Sequence, residues 1–216
     1  MWSRRSIEIL IAVPLLAAMA ACTTTAHHAA QPAGPAVAHL AGQPLPAAPP
    51  PIPAQAQQQF AQALALAHAG NAAAAETQLA SLAARYPQLH TPSLDLGILY
   101  LEGGKLSAAE EALRQALARD PHSAPAWTEL GLTQRRQGKF ADAEQSYSRA
   151  IAAQPDYAPA YRDRGVLRDL YLGHPAAALA DFEQYRRLDA TDKPVAMWIA
   201  ELQHRTGIKA APAARN

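Results

Sequence analysis

Cysteine is almost absent from this chain of 216 residues, which contains only Cys22. A single thiol cannot form an intramolecular disulfide framework or a zinc site built on cysteines. Aromatic residues are also scarce, at 6% of the chain, whereas 53 residues are alanine. Alanine has the highest helix propensity, and a β-sandwich would need more β-branched and aromatic residues. The composition therefore predicts an all-α protein.

An excess of charge of either sign is also lacking. The chain has 19 Lys and Arg against 18 Asp and Glu, and charged residues make up only 17% of it. This balance argues against a nucleic-acid-binding protein built on a basic surface. Neither His-Glu-x-x-His nor Gly-x-Ser-x-Gly occurs, and Gly103-Gly104-Lys105 lacks the first glycine of a phosphate-binding loop. The sequence predicts no catalytic site, no cofactor and no metal site.

Residues 1–21 have the composition of a targeting segment. Arg4 and Arg5 precede an apolar run that ends in small residues, as in a secretory signal peptide. The run is short for a membrane-spanning helix and Pro14 interrupts it. This segment is therefore interpreted as a signal peptide, with an uncleaved anchor helix as the alternative.

The only cysteine follows this segment directly. Met19-Ala20-Ala21-Cys22 resembles the bacterial lipobox, with methionine where that motif usually has leucine. The resemblance implies cleavage before Cys22 and attachment of diacylglycerol and a further acyl chain, such as palmitate, to this residue. Several acyl chains on one residue give stable membrane anchoring. Thr23 follows the cysteine, which resembles the pattern of lipoproteins sent to the periplasmic face of the outer membrane.

Residues 22–52 contain no Asp, Glu, Lys or Arg and are rich in alanine, proline, threonine and glutamine. Such a segment cannot bury enough apolar surface to offset the entropy lost on ordering. We expect a disordered tether that holds a folded domain away from a membrane.

The rest of the chain repeats with a period of about 34 residues, a length typical of helical repeat proteins. Gly97 recurs as Gly131 and then as Gly165, and Pro121 recurs as Pro155. Each period contains two apolar stripes of helical spacing, which predicts a pair of helices. The predicted repeats are 56–89, 90–123, 124–157 and 158–190.

The order of residues within a period is Trp-Leu-Gly, Ala, aromatic, Ala and Pro, which is most complete in 124–157. This order resembles the tetratricopeptide repeat. The resemblance implies an all-α solenoid of about four helix-turn-helix repeats over residues 53–190. The first repeat departs from the pattern at Ala63, where glycine is expected, and the last at Arg164, where leucine is expected.

Local signals predict how the helices pack and where they begin and end. Gly131 is expected to let the two helices of its repeat approach closely, and Gly138 to end the first of them. Ser123 is expected at the start of a first helix. Ser107-x-x-Glu110 has the form of a capping box opening a second helix.

Residues 191–207 are predicted to form a capping helix, because a solenoid needs its last apolar face covered. The apolar residues on one face of this helix are Val195, Trp198, Ile199 and Leu202. Trp198 is interpreted as packing between the cap and the array, and a contact with a partner is the alternative. Residues 208–216 are expected to form a flexible tail.

The resemblance also implies a concave groove lined by the first helices. The positions carried over are Phe60, Leu64, Leu94, Ile98, Leu101, Thr128, Leu132, Arg135, Arg136, Arg162 and Val166. The lysine and asparagine residues of the chaperone-type carboxylate clamp are absent from them. The expected ligand is an apolar peptide or helix with acidic groups near the three arginines, which grip carboxylates well. Alternatively, the arginines are solvated or paired with Glu129, Asp163 or Asp169.

The expected function is that of a lipid-anchored periplasmic adaptor or scaffold that binds a protein or peptide partner. The resemblance implies an envelope complex of the pilus or secretin, outer-membrane assembly or TonB type. A self-associating structural protein, such as a homodimer, is the alternative, because the alanine-rich repeat 56–89 suits close packing. An enzyme is a distant third interpretation.

Overall fold

A computed structural model describes residues 52–208, and this part of the chain contains nine α-helices and no strand. The predicted signal peptide, Cys22, nearly all of the predicted tether and residues 209–216 lie outside the described residues. No helix among the described residues is long and apolar enough to cross a membrane. The helices are α1 Ala54–His68, α2 Ala72–Arg85, α3 Thr91–Glu102, α4 Leu106–Arg119, α5 Ala124–Arg136, α6 Phe140–Ala153, α7 Ala158–Leu170, α8 Pro175–Leu188 and α9 Lys193–Thr206.

The helices pack in chain order, as expected for a solenoid in which each repeat contacts only its neighbours. The tightest pairs are α1 with α2, α3 with α4, α5 with α6 and α7 with α8, and α9 packs on α8. The first helix α5 also contacts the first helices α3 and α7, whereas no two second helices in residues 52–208 are in comparable contact. The first helices therefore lie on the inner side of the array. The predicted all-α repeat fold with a C-terminal capping helix is confirmed.

Each repeat is closed by a small residue of its first helix lying against a large side chain of its second helix. A Cβ atom on Gly131 would lie 2.7 Å from Cε1 of Tyr147, which is well inside van der Waals contact. The equivalent contacts are Gly97 with Leu113 and Gly165 with Phe182. In the first repeat Ala63 takes this place and packs in one cluster with Leu79. The close approach predicted from the glycine at position 131 is present.

The turn after α5 confirms one helix end expected from the sequence. Gly138 has a φ of +77°, a left-handed conformation that glycine adopts without strain. The amide of Gly138 donates to the carbonyl of Arg135 at 3.0 Å, and that of Lys139 to Gln134 at 2.9 Å. These bonds satisfy carbonyl groups at the end of the helix.

Of the two predicted helix starts, one is correct and one is wrong. The Oγ of Ser123 accepts a hydrogen bond from the amide of Ala126 at 3.3 Å, so Ser123 caps α5. The capping box at Ser107 and Glu110 does not form, because α4 begins at Leu106 and Ser107 is already inside the helix. The carboxylate of Glu110 instead binds Lys139 of the next repeat at 2.8 Å.

The fourth repeat replaces an apolar contact with buried charges. Arg164, at the position where leucine was expected, donates two hydrogen bonds to Asp181 at 2.7 and 3.0 Å. Arg168 adds a third bond to the same carboxylate at 2.9 Å. The Asp181 side chain is only 4% exposed, so these bonds compensate its desolvation. The departure from the repeat pattern at Arg164 is accommodated by this fork-shaped pairing.

The capping helix covers the end of the fourth repeat. Val195, Ile199 and Leu202 are buried in a cluster with Phe182 and other residues of α8. Trp198 lies against the Phe182 ring, with 5.4 Å between ring centroids, yet remains 40% exposed. The packing expected of Trp198 is therefore present, and part of the indole is also open to solvent.

We predict that Gly131→Ala destabilises the protein although alanine is the better helix former. Alanine gains about 0.5–1 kcal/mol over glycine in a helix, but the new methyl group would overlap the Tyr147 ring, and overpacking costs about 1–3 kcal/mol. The net loss of unfolding free energy should be about 1–2 kcal/mol in urea denaturation, on these estimates.

The Tyr147→Leu background provides the control. The equivalent positions of the first repeat are Ala63 and Leu79, so alanine and leucine already pack together there. Gly131→Ala should cost less there than in the wild type. An equal cost in both backgrounds would show that the Tyr147 contact does not limit this position.

Candidate peptide-binding face

The first helices carry a row of apolar side chains at the repeat spacing on the inner side of the array. Leu64, Ile98, Leu132 and Val166 occupy the same position of the four successive repeats, and each is only partly buried. Ile98 and Val166 also pack against buried clusters of their own repeats. We call the surface formed by these four residues and their neighbours on α1, α3, α5 and α7 the inner face. Part of the apolar surface of these four side chains is left uncovered by the other residues of 52–208.

Three of the predicted groove residues are not free to contact a ligand. Leu94, Leu101 and Thr128 are 9%, 3% and 2% exposed. Leu94 belongs to the core cluster between the second and third repeats. The hydroxyl of Thr128 donates to the carbonyl of Ala124 at 2.9 Å. These three side chains hold the helices together beneath the inner face, and their assignment to the groove surface was wrong.

Phe60 packs partly buried against the cluster that contains Ala63. It borders the inner face at the start of the array and remains a candidate contact.

The predicted arginine cluster is partly neutralised within the chain. The Nε of Arg162 donates to Asp163 at 3.1 Å, which is one of the pairings considered from the sequence. The adjacent carboxylate lowers the net positive charge that Arg162 can present to an acidic ligand.

The other two arginines have no carboxylate partner within residues 52–208. The guanidinium of Arg136 donates to the carbonyl of Leu101 at 2.7 Å, and its side chain stays exposed. Arg135 lies over the Tyr171 ring at 5.9 Å from the ring centroid. The positive end of the inner face is therefore formed by Arg135 and Arg136.

A row of carboxylates accompanies the apolar row, and sequence analysis missed it. Asp95, Glu129 and Asp163 occupy the same position of the first helices α3, α5 and α7. Each is partly buried. The repeat spacing contained this signal, but Glu129 and Asp163 had been considered only as partners of arginines.

Burial changes the proton affinity of the middle carboxylate. Desolvation raises the pKa of Glu129 to about 7, and the negative charges of Asp163 and Glu102 add to this effect while Arg162 opposes it. Desolvation likewise raises the pKa of Asp95, with His90 opposing. At Glu129 and Asp95, the nearby positive charge is therefore too small to offset the cost of desolvating the ionised carboxylate.

Two cavities open on this face. One lies between α1 and α3, has a volume of about 180 Å³, and is lined by Leu64, Ala67, His68, Leu79, Asp95, Ile98, Leu99 and Glu102. The other lies between α7, α8 and α9, has a volume of about 400 Å³, and is lined by Val166, Asp169, Leu170, Phe182, Trp198, Glu201 and Leu202. The first combines carboxylates with apolar walls, and the second is mainly apolar.

Nothing in residues 52–208 groups three or more His, Cys, Asp or Glu side chains closely enough to hold a metal ion.

The Tyr147 hydroxyl is buried without a hydrogen-bond partner among the described residues. Its neighbouring charges, Asp163, Arg135 and Glu129, belong to the inner face, and burial raises the pKa of this phenol. The hydroxyl thus lies beneath the middle of that face.

Comparison with known proteins agrees with this architecture. Residues 94–158 match the family model of the tetratricopeptide repeat. The chain has the tetratricopeptide repeat fold. No curated protein matches the chain.

Solved structures with the same fold are similar over most of the repeat array. PilF of Pseudomonas aeruginosa is 22% identical, with 70% of this chain and 69% of that chain covered and a TM-score of 0.64. MamA is 23% identical, with 67% and 84% covered and a TM-score of 0.61. The first tetratricopeptide domain of Spaghetti (RPAP3), bound to the HSP90 peptide SRMEEVD, is 23% identical, with 56% and 95% covered and a TM-score of 0.53. At these identities the likeness establishes the fold.

We predict that Glu129→Gln changes how stability depends on pH. The pKa of Glu129 is raised in the folded chain, so protonation of this carboxyl group stabilises the fold. The stabilisation is complete below pH 4.5, the ordinary pKa of glutamate, and is lost as the pH rises towards about 7. Glutamine stays neutral, so the variant should gain stability relative to the wild type between pH 5 and pH 8. Urea unfolding at each pH unit measures this difference.

The exposed Glu111→Gln variant is the control for removing a surface carboxylate. Its difference from the wild type should stay nearly constant over the same range. A flat difference for Glu129→Gln as well would contradict the assigned titration.

Proposed function

We propose that the protein is a non-catalytic adaptor of the cell envelope whose repeat array binds a protein or peptide partner on the inner face. Proteins with tetratricopeptide repeats mediate protein–protein interactions. The partly exposed apolar row Leu64, Ile98, Leu132 and Val166 is the observation that carries the binding assignment. A peptide or helix laid across the first helices would bury this row, and apolar burial is the main driving force of such association.

The charges of the inner face suggest a ligand of a particular kind. Arg135 and Arg136 form no ion pair within residues 52–208, so an acidic group of the ligand would find a partner there. Lysine and asparagine are absent from the positions of a carboxylate clamp. We therefore do not expect a ligand of the HSP90-peptide kind, although the RPAP3 domain is bound to one.

The anchoring part of the proposal comes from the sequence. The lipobox-like Met19-Ala20-Ala21-Cys22 and the uncharged segment 22–52 would tether the array to the periplasmic face of the outer membrane. The pathway would be one of the pilus or secretin, outer-membrane assembly or TonB-type systems.

Self-association is the second candidate, and the exposed apolar residues of the capping helix favour it. Met197 is 73% exposed and Trp198 is 40% exposed. Two copies meeting through α9 would cover both side chains. Sedimentation of residues 53–216 separates the two functions, because an adaptor stays monomeric as concentration rises.

We predict that reversing the charge of Arg135 and Arg136 weakens partner capture. The test is chemical crosslinking and pull-down from the native envelope with the Arg135→Glu/Arg136→Glu protein. Arg186→Glu/Arg187→Glu is the matched control, because these two arginines also occupy the last turn of a helix but lie on α8. Partner recovery should fall several-fold for the first pair alone, and equal recovery would contradict binding at this face.

The same pull-down with Cys22→Ser tests the anchor. Loss of the partner with this variant would mean that the lipid places the array beside its partner. Release of a Cys22→Ser protein from the membrane fraction is expected, and its retention there at wild-type levels would contradict lipid anchoring.

A further inference from the structure

The small cavity between α1 and α3 has the chemistry of a pocket for one long side chain. Its walls include Leu64, Ile98 and Leu99, and the carboxylates of Asp95 and Glu102 also line it. A volume of about 180 Å³ suits a single side chain better than a whole helix. An aliphatic stem would contact the leucine and isoleucine walls while a charged end group reached the carboxylates.

The carboxylates of this pocket have no ion-pair partner among the described residues. No lysine or arginine of residues 52–208 forms an ion pair with Asp95 or Glu102. Glu102 also lies near enough to Glu129 for the two negative charges to repel each other. The nearby groups that can carry positive charge are His68, which lines the cavity, His90, which acts on Asp95, and Arg162, which acts on Glu129. Arg136 also comes near, because its guanidinium donates to the carbonyl of Leu101, the residue before Glu102.

We propose that this pocket binds a lysine or arginine side chain of the partner polypeptide, with Asp95 and Glu102 as the residues that select the positive charge. Burial of Asp95 makes a cationic partner more favourable, because an uncompensated carboxylate in a partly desolvated site is costly. Glu129 provides the next carboxylate along the inner face for a second basic residue.

The chain itself offers few occupants for this pocket. Residues 22–51 contain no lysine or arginine, so this segment cannot supply the cation, and Arg4 and Arg5 belong to the predicted signal peptide, which the tested protein lacks. Beyond the described residues at the other end, Lys209 and Arg215 are the basic side chains. A partner polypeptide is therefore the occupant we commit to, and the tail of this chain is an alternative that the experiment separates.

This inference rests on the proposed use of the inner face and adds a second charge to the ligand. Arg135 and Arg136 of the third repeat would meet an acidic group, while the pocket of the first and second repeats would meet a basic one. The expected ligand is an apolar segment with opposite charges towards its two ends.

The test is selection of a phage-displayed library of random dodecapeptides on purified protein comprising residues 22–216 with Cys22→Ser. Parallel selections use the same protein with Asp95→Asn/Glu102→Gln and with Glu111→Gln. Glu111 is the control because it is an exposed carboxylate of the second helix α4, outside the pocket. The wild-type and Glu111→Gln pools should be enriched in lysine and arginine over the starting library, and the Asp95→Asn/Glu102→Gln pool should not.

The strongest wild-type peptide is then measured by fluorescence anisotropy. Binding should be about tenfold weaker for Asp95→Asn/Glu102→Gln, as expected when a charge-assisted contact of about 1.4 kcal/mol is lost. Replacing the basic residue of the peptide with glutamine should weaken binding similarly, and should have little further effect on the double variant. Circular dichroism of each variant verifies that the helices are retained.

Each of four outcomes would overturn the inference. Enriched peptides that are apolar but not basic would remove the pocket's assignment while leaving the proposed inner-face function intact. Equal affinity of wild type and double variant would do the same. Tighter binding after deletion of residues 209–216 would assign the pocket to the chain's own tail. Failure to enrich any peptide, together with undiminished partner capture by Arg135→Glu/Arg136→Glu, would remove both proposals.

Discussion

The structure depends on the close approach of the two helices in each repeat. A small residue on the first helix accepts a large side chain from the second, as Gly131 accepts Tyr147 and Gly165 accepts Phe182. Any Cβ at these glycines would fall within 3 Å of the facing ring. Because this contact recurs once in every repeat, the repeats stack in a regular array. The regular array in turn aligns equivalent positions of the first helices into rows.

Those rows account for the candidate site without any specialised loop. One row is apolar and partly exposed, and the neighbouring row is acidic at Asp95, Glu129 and Asp163. Within residues 52–208, Asp163 is the one member of this acidic row with an arginine at ion-pair distance, namely Arg162. The inner face thus combines apolar surface with carboxylates that the described chain leaves largely uncompensated. A ligand that supplies apolar and basic groups would satisfy both features.

The sequence predicted the fold well because the period, the glycines and the turn residues all reflect local backbone geometry. Gly138 and Ser123 were assigned correctly for that reason. Ser107 was assigned wrongly, since its helix begins one residue earlier and Glu110 is drawn towards Lys139 in the next repeat. That competition between repeats depends on three-dimensional distances. The pairing of Arg164 with Asp181, and the burial of Leu94 and Thr128, could not be read from the repeat pattern for the same reason.

The central claim is that partners bind on the inner face, and site-specific photo-crosslinking in the native envelope tests it most directly. A photoreactive residue at position 132 would lie in the apolar row of α5, and one at position 145 would lie on the exposed surface of α6. The account predicts a crosslinked partner from position 132 and none from position 145. Crosslinking from position 145 alone would show that the partner binds the second helices and would contradict the account.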